Sequence, residues 1–85
     1  MSSRVTVLLF ATARLAVGRG ELQWPVGADG VRIGILVRNL RERYPKLAPI
    51  LRTCRFVVNG RYVSSRATRL RPGDEFAVHP PYGGG

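Results

Sequence analysis

The chain has 85 residues, 45% of them hydrophobic, with 14 basic side chains against five acidic ones and a formal net charge of +9. That length allows one domain, which buries only about 60–65% of the surface its unfolded chain exposes, and the apolar content argues against wholesale disorder. No apolar run approaches the ~20 residues of a membrane span, and Val7–Ala11 is too short for a signal-peptide core; a soluble, cytoplasmic protein is expected. Cys54 is the lone cysteine, which rules out an internal disulfide, and with one histidine, His79, the composition argues against a structural zinc site. Cys54 is expected to serve as a small, half-buried apolar side chain rather than a nucleophile. Thirteen of the basic residues are arginines. A surface so charged attracts anions, but the arginines are scattered from Arg4 to Arg71, densest at Arg38, Arg41, Arg43 and at Arg66, Arg69, Arg71, and they read as a solvated basic surface.

The β-branched, apolar stretch Arg4 to Ala11 predicts a strand. Both of its faces, Val5-Val7-Leu9 and Thr6-Leu8-Phe10, are largely apolar, so both call for a cover. Thr12 to Gly20 predicts a turn or a single helical turn. Glu21 to Val26 predicts a second strand, placed at a sheet edge by Pro25. Ile33, Leu36, Val37, Leu40 and Tyr44 recur at the spacing of one helix face, predicting a helix over Val31 to Tyr44 that Asp29 caps and Pro45 ends. Gly34 weakens its first turn by about 1 kcal/mol relative to alanine. Lys46 to Leu51 predicts another short turn. Arg55 to Val63 carries Asn59-Gly60 between two apolar segments, the preferred type I′ hairpin turn. Ser64 to Leu70 reads as a polar connection and Pro72-Gly73-Asp74 as a turn. Glu75 to His79 predicts a last strand, stopped by Pro80-Pro81.

The order β-β-α-β-β-β, with one helix and about five short strands, defines an α+β domain over residues 1–79, followed by a tail over residues 80–85. One amphipathic helix covers one sheet face. If Val5, Val7, Leu9, Phe76 and Val78 face that helix, then Leu8, Phe10, Ala77 and His79 face away. They form an exposed patch of the kind that marks a partner surface unless a loop covers it.

The tail is Pro80-Pro81-Tyr82-Gly83-Gly84-Gly85. Two prolines are stiff and extended and project the chain off the sheet. A terminal Gly-Gly is commonly only a frayed end. The functional alternative is that a backbone without Cβ threads a channel closed to any other residue and presents its carboxylate in a partner's active site. A carboxylate is a poor electrophile until adenylated, after which a sulfur nucleophile can displace the adenylate and leave a thiocarboxylate. No G-x-x-x-x-G-K-[ST] loop and no G-x-G-x-x-G after a strand is present, so ATP would be used by another protein.

These residues resemble a known family. The opening VTVLLFATARLAVG, the helix end LRERYP, the hairpin VVNG and the ending LRPGDEFAVHPPYGGG are similar to the small, sulfur-carrier subunit of molybdopterin synthase, over nearly the whole chain. The resemblance implies a β-grasp, ubiquitin-like fold with the first and last strands parallel at the sheet centre. It implies that Gly85 is activated by an E1-like adenylating enzyme and receives sulfur from a persulfide donor. It implies no permanently bound cofactor or metal and no catalysis by the chain alone. Two copies would dock on a dimer of the large synthase subunit and pass sulfur to the pterin precursor. The docking residues implied are Phe10, Val63 and His79 with the tail Pro80, Pro81, Tyr82, Gly83, Gly84 and Gly85; Phe10 and His79 also emerge from strand alternation, as do Leu8 and Ala77.

Other readings stay open. Related β-grasp carriers supply sulfur for thiamine, cysteine or tRNA thiolation, and some are ubiquitin-like modifiers. The charge of +9 motivates a nucleic-acid-binding module, but no RNP-like pattern accompanies Phe10, Phe56, Tyr62 and Phe76. A stand-alone enzyme is disfavoured, because Glu21, Asp29, Glu42, Asp74 and Glu75 form no evident catalytic pair.

Overall fold

The computed structural model describes residues 3–81. In chain order the elements are β1 (Arg4–Leu9), α1 (Ala11–Val17), β2 (Glu21–Pro25), β3 (Val31–Arg32), α2 (Ile33–Arg43), a 3-10 turn (Pro45–Leu47), α3 (Ala48–Leu51), β4 (Arg55–Val58), β5 (Arg61–Val63), β6 (Arg69–Leu70) and β7 (Glu75–His79). Five strands form one sheet in the order β2-β1-β7-β4-β5, and β3 pairs with β6 apart from it. β1 and β7 run parallel, with Val7 beside Phe76 and Leu9 beside Val78; every other pair is antiparallel. The expected parallel pair is therefore present, with β7 in the middle of the sheet.

Strand alternation decides the core. Val5, Val7 and Leu9 on β1, Phe76 and Val78 on β7 and Phe56 on β4 point to one side and are buried there. α2 lies over them with Ile33, Leu36, Val37 and Leu40 inward, the face its spacing predicts, while Tyr44 is half-buried at its end. The helical layer is larger than expected. Residues 11–17 form two turns of helix, not one, which bury Ala13 and end at Gly18 in the left-handed conformation that glycine adopts without strain. The expected short turn after Pro45 is a 3-10 turn running into α3, and these insert Leu47 and Leu51 into the same core.

Two local expectations are corrected. α2 starts at Ile33, because Val31 and Arg32 are drawn into pairing with Leu70 and Arg69. Asp29 does not cap it: Arg32 is the N-cap residue, with no side-chain cap hydrogen bond. The first free amides of the helix are satisfied from a distance, Ile33 N–H donating to the Thr68 carbonyl and Gly34 N–H to the Arg66 carbonyl, both at 2.9 Å. Gly30, at φ +75°, precedes this pairing, and any Cβ there would overlap the Leu70 carbonyl.

The hairpin is as its turn predicts. Asn59 and Gly60 both have positive φ, 49° and 85°, and place Val58 opposite Arg61. Asn59 then acts across the sheet: its Nδ2 donates to Asp74 Oδ1 at 3.0 Å, and its Oδ1 accepts from Glu75 N–H at 2.9 Å. One side chain ties the hairpin to the Pro72-Gly73-Asp74 turn and so to the start of β7.

Candidate functional site

Among the described residues no helix lies on the second sheet face. Thr6 and Leu8 of β1, Glu75, Ala77 and His79 of β7, Arg55 and Val57 of β4 and Tyr62 of β5 share it, as the registers Leu8–Ala77, Ala77–Val57 and Val57–Tyr62 require. Its chemistry changes along the strands. At the start of β1 and along edge strand β2 it is polar: Thr6 Oγ1 donates to Gln23 Oε1 at 3.2 Å, and Gln23 Nε2 to Glu21 Oε2 at 2.9 Å. Toward the end of β7 it becomes apolar and aromatic.

Phe10 and His79 sit at that end. Phe10 lies one residue past β1, extended at φ −122° and ψ 156°, where its carbonyl accepts the first amides of α1. This leaves its ring 42% exposed. The Leu9–Val78 pairing places Phe10 next to His79, and the two rings stack with centroids 4.5 Å apart and planes at 14°. The pair stands beside Pro80 and the exposed Pro81, where the chain leaves the central strand.

Of the residues expected to be exposed together, Leu8 is half-buried, Phe10 exposed and His79 half-buried. Ala77 is corrected: it points to the open face but is only 6% exposed. Its methyl group lies in a row between Leu8 and Val57, whose larger side chains overshadow it. Val63 is also corrected in placement. It pairs with Phe56, so it belongs to the helix side of edge strand β5, where it packs against the core. Its neighbour Tyr62 takes the open face and is 71% exposed. The two-residue hairpin loop contained that information, since it sets Val57 opposite Tyr62, and Val57 shares its face with Ala77, so Tyr62 falls on that face too. Of the tail, Pro80 and Pro81 are described; Tyr82, Gly83, Gly84 and Gly85 lie outside the described residues.

Cys54 is half-buried, as expected. Its thiol donates to the Ile50 carbonyl at 3.0 Å, and burial pushes its pKa up from 9.0 to about 11. It is therefore a neutral thiol at neutral pH and a poor nucleophile. Among the described residues no group of three His, Cys, Asp or Glu side chains comes together to hold a metal ion, and no helix is long and apolar enough to cross a membrane.

A mixed five-stranded sheet with a parallel central pair, helices on one face only, and a chain end launched from the middle strand define a ubiquitin-like β-grasp domain. The chain belongs to the ThiS family, whose model matches residues 7–85. It is 34% identical over 83 residues to the molybdopterin synthase sulfur carrier subunit of Chlamydomonas reinhardtii, covering 96% of this chain and 99% of that one. It is 30% identical over 82 residues to the protein of the same name from Mycobacterium tuberculosis, covering 96% and 98%. Among solved structures it is similar to a candidate subunit 1 of molybdopterin converting factor from Pyrococcus furiosus, with a TM-score of 0.82 and 30% identity over 94% of this chain and 99% of that one.

Proposed function

We propose that this chain is the sulfur carrier of a molybdopterin synthase, a subunit that delivers sulfur without being catalytic alone. One observation carries the reading. The central strand ends at a stacked aromatic pair, exposed Phe10 and half-buried His79, and the sequence continues from there through Pro80-Pro81-Tyr82 to three glycines. An apolar face beside a side-chain-free tip suits a protein that docks on its surface while its end enters a partner's site. The names borne by the relatives from Chlamydomonas and Mycobacterium support the same reading.

In this scheme an E1-like enzyme binds ATP, and a Gly85 carboxylate oxygen attacks the α-phosphorus, releasing pyrophosphate. The outer sulfur of a persulfide donor then attacks the acyl carbon and displaces AMP, and a thiol cleaves the resulting acyl disulfide, leaving the Gly85 thiocarboxylate and a disulfide between that thiol and the donor. With the tail in the large subunit, the thiocarboxylate sulfur passes to the pterin precursor. The carrier docks through Leu8, Phe10, His79 and Tyr62, and two carriers on a large-subunit dimer make a heterotetramer. The chain needs no resident cofactor, and its place of work is the cytoplasm.

The test is intact-mass analysis of the protein from its native host, with and without the large subunit. A species heavier by the replacement of one oxygen with sulfur, located at Gly85 by fragmentation and lost on incubation with large subunit and precursor, is expected. A terminus that stays an ordinary carboxylate in the presence of ATP, the activating enzyme and the sulfur donor would overturn the reading.

A further inference from the structure

A second feature lies at the same end of the sheet, on the opposite side of the exit strand from Phe10. Arg55 pairs with His79, and Phe56 with Val63. Arg55 and the residue after β5, Ser64, are therefore level with the point where the chain leaves β7, one and two strands away. At about 4.8 Å per strand the two positions lie within roughly 10 Å of the exit. There the surface forms a hollow of about 460 Å³, whose lining includes Cys54, Arg55, Phe56, Tyr62, Ser64 and Arg66 and, among the described residues, no carboxylate.

The two guanidiniums are held against rings. Arg66 lies 5.1 Å from the centre of the Phe56 ring and Arg55 6.0 Å from that of Tyr62. Among the described residues neither has an acidic partner. The Cys54 thiol in the same wall stays neutral and offsets none of this charge. Two guanidiniums in the lining of one hollow, Arg55 against the open-face ring and Arg66 against the helix-side ring, with a hydroxyl at Ser64, suit a carboxylate, whose two oxygens accept up to four hydrogen bonds. Arg55, Tyr62, Ser64 and Arg66 are all exposed. So open a hollow does not enclose a small molecule as a ligand pocket does; it suits an anion carried on a protein surface.

We propose that this hollow receives an Asp or Glu side chain of the protein that takes up the tail, clamping the carrier on the side of the exit strand away from Phe10. The inference rests on the carrier reading and adds a polar contact of fixed position. Arginine pairing at the edge of an apolar contact sets orientation and association rate more than raw affinity. The exit strand would then be fixed on both flanks, by rings at Phe10 and His79 and by charge at Arg55 and Arg66.

The experiment uses the full chain and the large synthase subunit of the same host. Arg55→Ala and Arg66→Ala are expected to weaken binding roughly fivefold each at low ionic strength, an effect that fades as salt is raised, while Arg38→Ala on α2 leaves it unchanged. Arg66→Lys supplies a primary amine in a chain whose sole lysine is otherwise Lys46. Carbodiimide treatment of that complex is expected to form an amide between residue 66 and an Asp or Glu of the large subunit, found by peptide mapping. If the wild-type chain binds and both alanine variants match it, or residue 66 links only to carboxylates of its own chain, the clamp is wrong and the carrier reading stands. If the variants instead lose affinity only for an oligonucleotide probe, the hollow reads phosphate and the clamp is overturned. If the wild-type chain binds no large subunit, both readings fail together.

Discussion

The two faces of the central sheet are built from the same strands and differ in what lies over them. On the helix side Val5, Val7, Phe76 and Val78 are wholly buried. On the open side their sequence neighbours Thr6, Leu8 and His79 are half-buried, and Ala77 alone is shielded, by Leu8 and Val57. Both faces are apolar near the end of β7, yet only one is spent on stability. The comparison teaches that apolar content alone does not separate core from docking surface; the placement of helices on one side does.

The contrast can be broken from either side. The largest effect is expected at the tail, where loss of Gly84-Gly85 should abolish sulfur transfer while shifting the melting temperature little, since glycine has no side chain to contribute to a core. Sulfur transfer by the truncated protein would remove the carrier model. On the helix side, Phe76→Ala should destabilise the domain by about 3–5 kcal/mol through the cavity it leaves, read as a drop in denaturant midpoint. Phe76 is fully buried and packs against Phe56, the two rings tilted by 34° with centroids 5.2 Å apart, so a near-neutral result would mean that the core is elsewhere.

On the open side, Phe10→Arg should weaken binding to the large subunit by about 2 kcal/mol or more and cost under about 1 kcal/mol of stability. A large fall in melting temperature would instead assign Phe10 to the core. The smallest effect tests the rim between the faces. At pH 8 Cys54 should alkylate about a hundredfold more slowly in the folded chain than in the unfolded one, from a pKa raised by burial from 9.0 to about 11. The sign for stability follows: the folded state holds this proton more tightly. Its contribution is full below pH 9 and is lost as pH rises through about 11. Equal alkylation rates folded and unfolded would show that Cys54 is solvated.

The sequence made the core face of α2, the Asn59-Gly60 hairpin and the edge position of the second strand legible, because each depends on neighbours in the chain. It made the exposure of Phe10 legible for the same reason. It missed that Ala77 is shielded, that Val63 turns inward while Tyr62 turns out, and that Asp29 caps nothing. The first and last depend on residues distant in sequence, Leu8 and Val57 for Ala77, Arg66 and Thr68 for the start of α2, whereas the placement of Val63 opposite Phe56 was implicit in the two-residue hairpin. The hollow at Arg55 and Arg66 was likewise hidden among scattered arginines until the ends of β4, β5 and β7 came level.

By itself, then, the sequence determined the periodicities, the turn chemistry and the glycine tip, since these follow from side-chain spacing, from which residues tolerate positive φ and from which lack a Cβ. Only the tertiary structure decided that β1 and β7 lie parallel, that three helical segments crowd one face, and that rings and guanidiniums flank the same exit. Those arrangements join residues far apart in the chain, and the burial of one shared core selects them.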